Sequence, residues 1–249
     1  MEKGKTKIVA TIEARMTSSR LPGKVLKEVL NKPMLFYLVQ RLRMVPSIDE
    51  IVLATTINKT DDVLIDFAKN EGIAYFRGSE DDVMSRVVGA GESAKADVIV
   101  EITADCPIID PAVVDQTIQL YLHNQCDYAS NVVVRSYPIG MDTQVFSLDT
   151  LKRSFSMTED KLDREHVTRH IRQNPDLFKQ VHLVSSYLDY WPELAVTLDE
   201  VSDYELIKKI IEYFYEKNPY FSCADIVALI KEKESWLEIN RDVKRKGLN

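Results

Sequence analysis

The chain has 249 residues, 45% hydrophobic and 29% charged, and 32 Lys and Arg against 39 Asp and Glu leave a formal net charge of −7. That length supports one large α/β domain or two small ones. The acidic balance leaves no electrostatic footprint for general nucleic-acid binding, and no run approaches the roughly 20 apolar residues of a membrane helix.

The opening Met1-Glu2-Lys3-Gly4-Lys5 carries no signal-peptide pattern, so a cytoplasmic protein is expected. Ile8 to Ile12 is a short apolar, β-branched run with the look of a buried parallel strand. Pro33 opens a helix whose Leu35, Leu38, Val39 and Leu42 recur at helical spacing, and Ile51 to Thr55 reads as strand again. A helix from about Asp61 to Asn70 leads to a strand over Ala74 to Phe76, and a helix from about Asp81 to Ala94 leads to a strand over Val98 to Ile102. This alternation with short loops predicts a mostly parallel sheet flanked by helices.

A helix follows from Pro111 to about Asn124, then a strand near Tyr128, and the less regular stretch from Val132 to Val145 is expected to pair antiparallel in a small lobe. Helices are predicted over Leu151 to Thr158, Glu165 to Gln173, Tyr204 to Tyr215 and Ala224 to Lys233, with strands over Gln180 to Ser185 and Leu194 to Leu198. No linker or repeat divides the chain, so residues 1–249 read as a single domain containing a lobe at about 132–190. The basic tail from Arg241 to Lys246 reads as a solvated, frayed end. Cys106, Cys126 and Cys223 are an odd number at wide spacings, which argues against a disulfide framework or a zinc site.

In an open parallel sheet, ligands sit beyond the carboxyl ends of the strands, so the loops there are where chemistry is expected. The loop Glu13-Ala14-Arg15-Met16-Thr17-Ser18-Ser19-Arg20-Leu21-Pro22-Gly23-Lys24 sets two arginines and a lysine directly after the first strand. Arg15, Arg20 and Lys24 can donate charge-assisted hydrogen bonds to phosphate oxygens while Gly23 allows close backbone approach. Neither a G-x-G-x-x-G turn nor a Walker sequence is present. Asp105 ends the expected central strand, and Asp199 ends a later one; the two together suit Mg²⁺, which is commonly held by one or two carboxylates with substrate phosphates. Asp203 reads as a support or helix cap, and Asp81 and Asp82 as caps. Arg77 and Ser79 are candidates for the nucleoside side. Arg164 and His166 start a helical turn. Cys106 has no His nearby in sequence, which disfavours a nucleophile.

The run from Thr11 to Leu26 resembles the opening motif of the cytidylyltransferases that activate sugar acids, the acylneuraminate and 3-deoxy-manno-octulosonate enzymes among them, and most of all their spore-coat polysaccharide branch. The resemblance continues through Phe76-Arg77-Gly78-Ser79, Asp81-Asp82-Val83, Ile102 to Pro107, Gly140-Met141-Asp142, Arg164 to Thr168 and Thr197-Leu198-Asp199-Glu200. Two positions depart from the branch: Gln144 where Glu is usual, and Ala195 where Arg is usual. Both fall on the acceptor side.

The resemblance implies a Rossmann-like nucleotidyltransferase fold and Mg²⁺-dependent transfer of CMP from CTP to a sugar acid or related precursor, releasing pyrophosphate. It implies Arg15, Lys24 and Asp105 as catalytic residues; Ala14, Arg15, Arg20, Gly23, Lys24, Arg77, Ser79 and Asp105 around the nucleotide; Asp105 and Asp199 around the metal; and Asp142, Gln144, Arg164 and His166 around the acceptor. It also implies a homodimer formed through residues 132–190. A metal-dependent glycosyltransferase would want Asp-x-Asp where this chain has Asp105-Cys106-Pro107, and a non-catalytic nucleotide or sugar sensor rests on the two departures alone.

Overall fold

The computed structural model describes residues 5–245. Its main sheet has seven strands. In chain order these are β1 (Ile8–Glu13), β4 (Glu50–Thr56), β5 (Ala74–Gly78), β6 (Val98–Thr103), β7 (Tyr128–Ser130), β8 (Gln144–Ser147) and β9 (Gln180–His182), arranged β5-β4-β1-β6-β8-β7-β9. β5, β4, β1 and β6 run parallel, β8 is antiparallel to both its neighbours, and β7 and β9 are parallel to each other. β2 (Glu28–Val29) and β3 (Lys32–Pro33) form a separate small antiparallel hairpin. The antiparallel strand from the irregular stretch is thus built into the main sheet. The chain leaves β1 toward β4 on one side and returns to β6 on the other, and the crevice at such a reversal is where α/β sheets bind ligands.

Period-two alternation divides the strands between two faces. Ile8, Ala10 and Ile12 pack with Leu35 and Leu38 of α1 (Met34–Arg43), Leu64 of α2 (Asp62–Glu71) and Val114 of α4 (Pro111–Leu122). Val9, Val52 and Ile99 pack on the other face against Met84 and Val87 of α3 (Val83–Ser93) and Leu151 of α5 (Leu148–Met157). A third apolar cluster joins α8 (Val201–Phe214) and α9 (Cys223–Glu232) to the segment from Leu194 to Leu198. In α8 the fully buried Leu206, Ile207, Ile210 and Ile211 are each worth about 2 kcal/mol of apolar burial.

The helix starts obey their side chains. Asp82 caps α3 by accepting from Ser85 N, Asp110 caps α4 ahead of Pro111, and Asp203 closes a capping box with Glu200 at the start of α8. Gly72, at φ +65, ends α2 in the left-handed region.

Three expectations are corrected. Leu194 to Leu198 forms no strand: it is extended and makes one isolated bridge, Ile139 to Ala195, because its alternating apolar side chains face α8 and α9 while the sheet ends elsewhere. The helix expected over 165–173 is two short ones, α6 (Lys161–Glu165) and α7 (Arg169–Gln173), parted at His166, whose φ −109 and ψ 77 are not helical. The break lets Val167 bury with the α3 face. The tail is not wholly solvated: Arg245 ion-pairs with the buried Asp203, at 2.6 and 2.9 Å, and stands 3.8 Å from Asp199. Lys246 lies outside the described residues.

Candidate active site

Two adjoining cavities, about 410 and 490 Å³, open at the carboxyl ends of β1 and β6 and share Thr103, Asp105, Gln144, His166, Arg172 and Asp199 in their walls. The loop after β1 forms one rim. Gly23, at φ +68, turns this loop so that its N–H donates to Met16 O at 2.9 Å, and the Met16 N–H donates to the buried Asp61 at 2.8 Å. Asp61 also accepts from Thr56 at 2.6 Å, so the loop is fastened to the end of β4. Arg15, Arg20, Ala14 and Lys24 face the first cavity from this rim.

Lys24 is the centre of the charge arrangement. Its ammonium donates to Asp105 Oδ2 at 3.2 Å and to Asp199 Oδ1 at 3.1 Å. Burial alone would lower the Lys24 pKa, but the two carboxylates hold it above the ordinary lysine value. Burial would likewise raise Asp105, and the Lys24 ammonium with the Thr103 hydroxyl at 2.5 Å brings it below the usual carboxylate range. Arg20 pairs with Asp199 at 2.9 Å. Asp105 and Asp199 come together because the Leu198 N–H and the Thr197 hydroxyl donate to the Asp105 carbonyl, at 2.8 and 3.2 Å. Asp203 accepts from the N–H groups of Asp199 and Glu200, at 3.1 and 2.9 Å, which fixes the second carboxylate from behind.

Arg15 pairs with Glu80 at 3.1 Å, while Thr17 and Asn58 hold the same carboxylate and lower its pKa. Gln144, at the head of β8, donates to Glu101 at 2.5 Å and accepts from Tyr128 at 2.5 Å and Thr168 at 2.6 Å. Asp142 lines the second cavity beside its partner Arg135, and His166 lines both.

Four expected site residues line neither cavity: Gly23, which turns the loop after β1, and Arg77, Ser79 and Arg164. Arg77 donates to the carbonyls of Thr56 and Asn58, at 2.8 and 2.9 Å, and pairs with Asp62, so it braces the loop between β4 and α2. Ser79 accepts from Asp82 N ahead of α3. Arg164 is buried, stacked 3.6 Å over Phe155 and bonded to the Phe155 carbonyl and Glu159, each at 3.1 Å. Ser79 and Arg164 also line a third cavity, of about 560 Å³, together with Arg15. Cys106 is buried, and that burial with Asp105 beside it pushes the thiol well up, which removes it as a nucleophile at neutral pH.

The cavities also contain residues that sequence reading passed over. Glu13 and Glu101 lie on the α3 side of the sheet, and Arg172 lines both cavities with its Nε buried and unpartnered. For the two glutamates the signal was a charged residue in an otherwise apolar strand, legible only once strand pairing is known.

A family model described as cytidylyltransferase matches residues 9–222. The chain belongs to the cytidylyltransferase family. It is 33% identical over 229 residues to the spore coat polysaccharide biosynthesis protein SpsF of Bacillus subtilis, covering 90% of this chain and 93% of that one. An uncharacterized protein of Methanocaldococcus jannaschii is 32% identical over 241 residues, 97% of each chain. The solved structure of a cytidylyltransferase from Leptospira borgpetersenii superposes with a TM-score of 0.89 at 30% identity, covering 96% of this chain and all of that one. The cytidylyltransferase fold and enzyme class therefore extend over both cavities, and the loop from Ala14 to Lys24, Asp105 and Asp199 all fall inside the matched residues.

Proposed function

We propose that this cytidylyltransferase moves CMP from CTP to a sugar acid or related surface-polysaccharide precursor and releases pyrophosphate. The observation that carries the reading is the Lys24 ammonium held between Asp105 and Asp199 at the end of a loop bearing Arg15 and Arg20. An acceptor hydroxyl oxygen attacks the α-phosphorus, the bond from that phosphorus to the β-phosphate oxygen breaks, pyrophosphate leaves, and the hydroxyl proton passes to solvent. Such transfers depend on position and charge neutralisation more than on covalent help from the protein.

Arg15, Arg20 and Lys24 hold the triphosphate, with the backbone at Ala14 and Gly23 approaching closely. Among the described residues no group of three or more His, Cys, Asp or Glu side chains converges. The donor set is instead two hard carboxylates, Asp105 and Asp199, flanking one ammonium, which fits Mg²⁺ completed by phosphate oxygens. Bound there, the ion would supply charge neutralisation at the phosphate. Asp142, Gln144 and His166 surround the acceptor in the second cavity, and Arg164 steadies the helix that carries His166 toward it. The name of the Bacillus relative, a spore coat polysaccharide biosynthesis protein, supports a place in surface-polysaccharide synthesis. Among the described residues no helix is long and apolar enough to cross a membrane.

The deciding experiment measures pyrophosphate release with Mg²⁺, each of the four nucleoside triphosphates, and a panel of sugar acids, amino sugars and phosphonates. Release is expected with CTP and one acceptor, falling roughly a hundredfold to a thousandfold in Asp105→Ala, as for loss of a single electrostatic contact in a catalytic site. Nucleotide binding without release on any acceptor would count against transfer and favour a sensor.

A further inference from the structure

The last described residues return to the site. From Asn240 to Arg245 the chain lies against the start of α8, beyond the residues that the family model matches. Asn240 donates from its amide to the Ala195 carbonyl at 3.0 Å and to Asp203 Oδ1 at 2.9 Å. Arg245 forks onto the same carboxylate, Nη2 to Oδ1 at 2.6 Å and Nη1 to Oδ2 at 2.9 Å, and its largely buried side chain lines the second cavity. Asp203 is fully buried, and among the described residues Arg245 is the cation paired with it. A buried carboxylate is costly without such a partner, so the bonds that Asp203 accepts from the N–H groups of Asp199 and Glu200 lean on Arg245 as well.

Asp199 is thereby held on two sides by different parts of the chain. Its Oδ1 faces the loop after β1, with Lys24 at 3.1 Å and Arg20 at 2.9 Å, and its Oδ2 faces Arg245 Nη1 at 3.8 Å. Arg20 also donates to the Lys244 carbonyl at 3.4 Å, so loop and tail meet at this carboxylate. The two sides differ in what they can do. Lys24 and Arg20 are the cations that phosphate oxygens recruit in the reaction proposed above, and what they give to phosphate is withdrawn from Asp199. The Arg245 fork is already engaged by Asp203, and a bidentate guanidinium–carboxylate pair fixes direction as well as charge. Asp199 therefore keeps one positive neighbour in a set place when the loop turns to the nucleotide.

We propose that Arg245 is a positioning residue for Asp199: through Asp203 and through its own charge it keeps that carboxylate beside Asp105 while Lys24 and Arg20 exchange it for phosphate. The assignment rests on the proposed CTP reaction with Mg²⁺ at Asp105 and Asp199, and it adds to that reaction a residue that acts through another. Without Arg245, Asp203 is buried with no cation, and the cations left to Asp199 are those that phosphate takes away. Partners that orient a metal-holding carboxylate commonly matter about 10-fold to 100-fold in metal affinity or activity.

The test is equilibrium binding of CTP to the full chain in EDTA and with Mg²⁺. The wild-type protein is expected to bind CTP more tightly with Mg²⁺. Arg245→Met should keep the wild-type affinity in EDTA, where the loop holds the triphosphate, and lose about tenfold or more of the gain that Mg²⁺ brings. In Asp199→Asn that gain should already be missing, and adding Arg245→Met should change nothing further, since residues that act through one group are not additive. Should Arg245→Met not fold, Arg245→Lys, with a point charge in place of the fork, is expected to bind CTP less tightly with Mg²⁺ and equally without it. A full Mg²⁺ gain in whichever of these variants folds overturns the assignment. So does an equal loss in EDTA and Mg²⁺, which marks a merely structural role, or an effect of Arg245→Met that is undiminished in Asp199→Asn. In each of those cases the proposed reaction stands if the wild type releases pyrophosphate from CTP with Mg²⁺; a wild type whose CTP binding ignores Mg²⁺ removes the metal reading and this assignment together.

Discussion

Lys24 reaches Asp105, 81 residues further along, and Asp199, 175 residues further along, so its meaning lies in contacts far from its own loop. The cationic character of that loop was nonetheless readable, because Arg15, Arg20 and Lys24 stand together and repel one another unless an anion or carboxylates join them. Glu13 and Glu101 were not readable in this way. In a list of residues each is a polar interruption of a strand, and only the pairing of β1 with β6 makes them neighbours. Glu101 also yields a pH prediction. Its carboxyl titrates at about 7 when folded, against 4.5 for an ordinary glutamate, so between those values the folded state binds more protons than the unfolded chain. Stability from this group is complete below pH 4.5 and is lost as pH rises through 7. Glu101→Gln should therefore raise the melting temperature by several degrees at pH 8, for a linkage contribution on the order of 3 kcal/mol, and the gain should shrink toward zero near pH 4. Thermal unfolding at the two pH values checks this, and an equal gain at both would show that proton linkage is not its cause.

At the scale of elements, long periodic segments were legible and joints were not. The helices matching α1, α2, α3 and α4 follow from apolar spacing with Pro, Asp and Gly at their ends. Leu194, Val196 and Leu198 alternate as a strand would, yet period two reports which side chains are buried and says nothing of what the backbone pairs with. The same physics hides the gap between α6 and α7, where Val167 turns inward and Thr168 bonds Gln144. Arg77, Ser79 and Arg164 sit in recognisable motifs, but local sequence does not show that each also bonds a neighbouring backbone group. Gly140 is a joint with a sharp requirement: its φ is +107, and a Cβ there would lie 2.8 Å from the backbone carbon and oxygen of Val196. Gly140→Ala should cost on the order of 3 kcal/mol through backbone strain and overpacking. It should also reduce pyrophosphate release by more than the fraction unfolded explains, because the displaced strip leads directly to Asp199. Denaturant unfolding alongside turnover checks both, and unchanged stability would refute the close approach.

Across the whole molecule, the parallel half of the sheet carries the cationic loop while the β8-β7-β9 half brings Gln144, Tyr128 and the second cavity. The proposed homodimer through residues 132–190 is supported by the apolar side chains that this stretch leaves in solvent: Val134 at 45% exposed, Val184 at 56%, Tyr187 at 89% and Leu188 at 64%. Light scattering after size exclusion should give twice the chain mass, and Tyr187→Ser with Leu188→Ser should bring it to the single-chain value. A wild-type protein already at single-chain mass would dispose of the dimer. The overall class was legible because alternating strands and helices admit few topologies. The role of the last described residues was not, since a basic run looks the same whether it is free or docked.

That docking has a consequence for how the enzyme fails. Arg245 and Asn240 both bind Asp203, and Asp203 in turn holds the backbone on which Asp199 stands. The strap they form follows a short helical segment, Glu234–Ile239, that buries no side chain fully, and segments so weakly packed open at lower free energy than the sheet they lean on. An excursion that frees only this strap would leave every strand paired and yet slacken one of the two carboxylates around Lys24, so turnover is the first property to fade as conditions worsen, and it returns as soon as the strap closes.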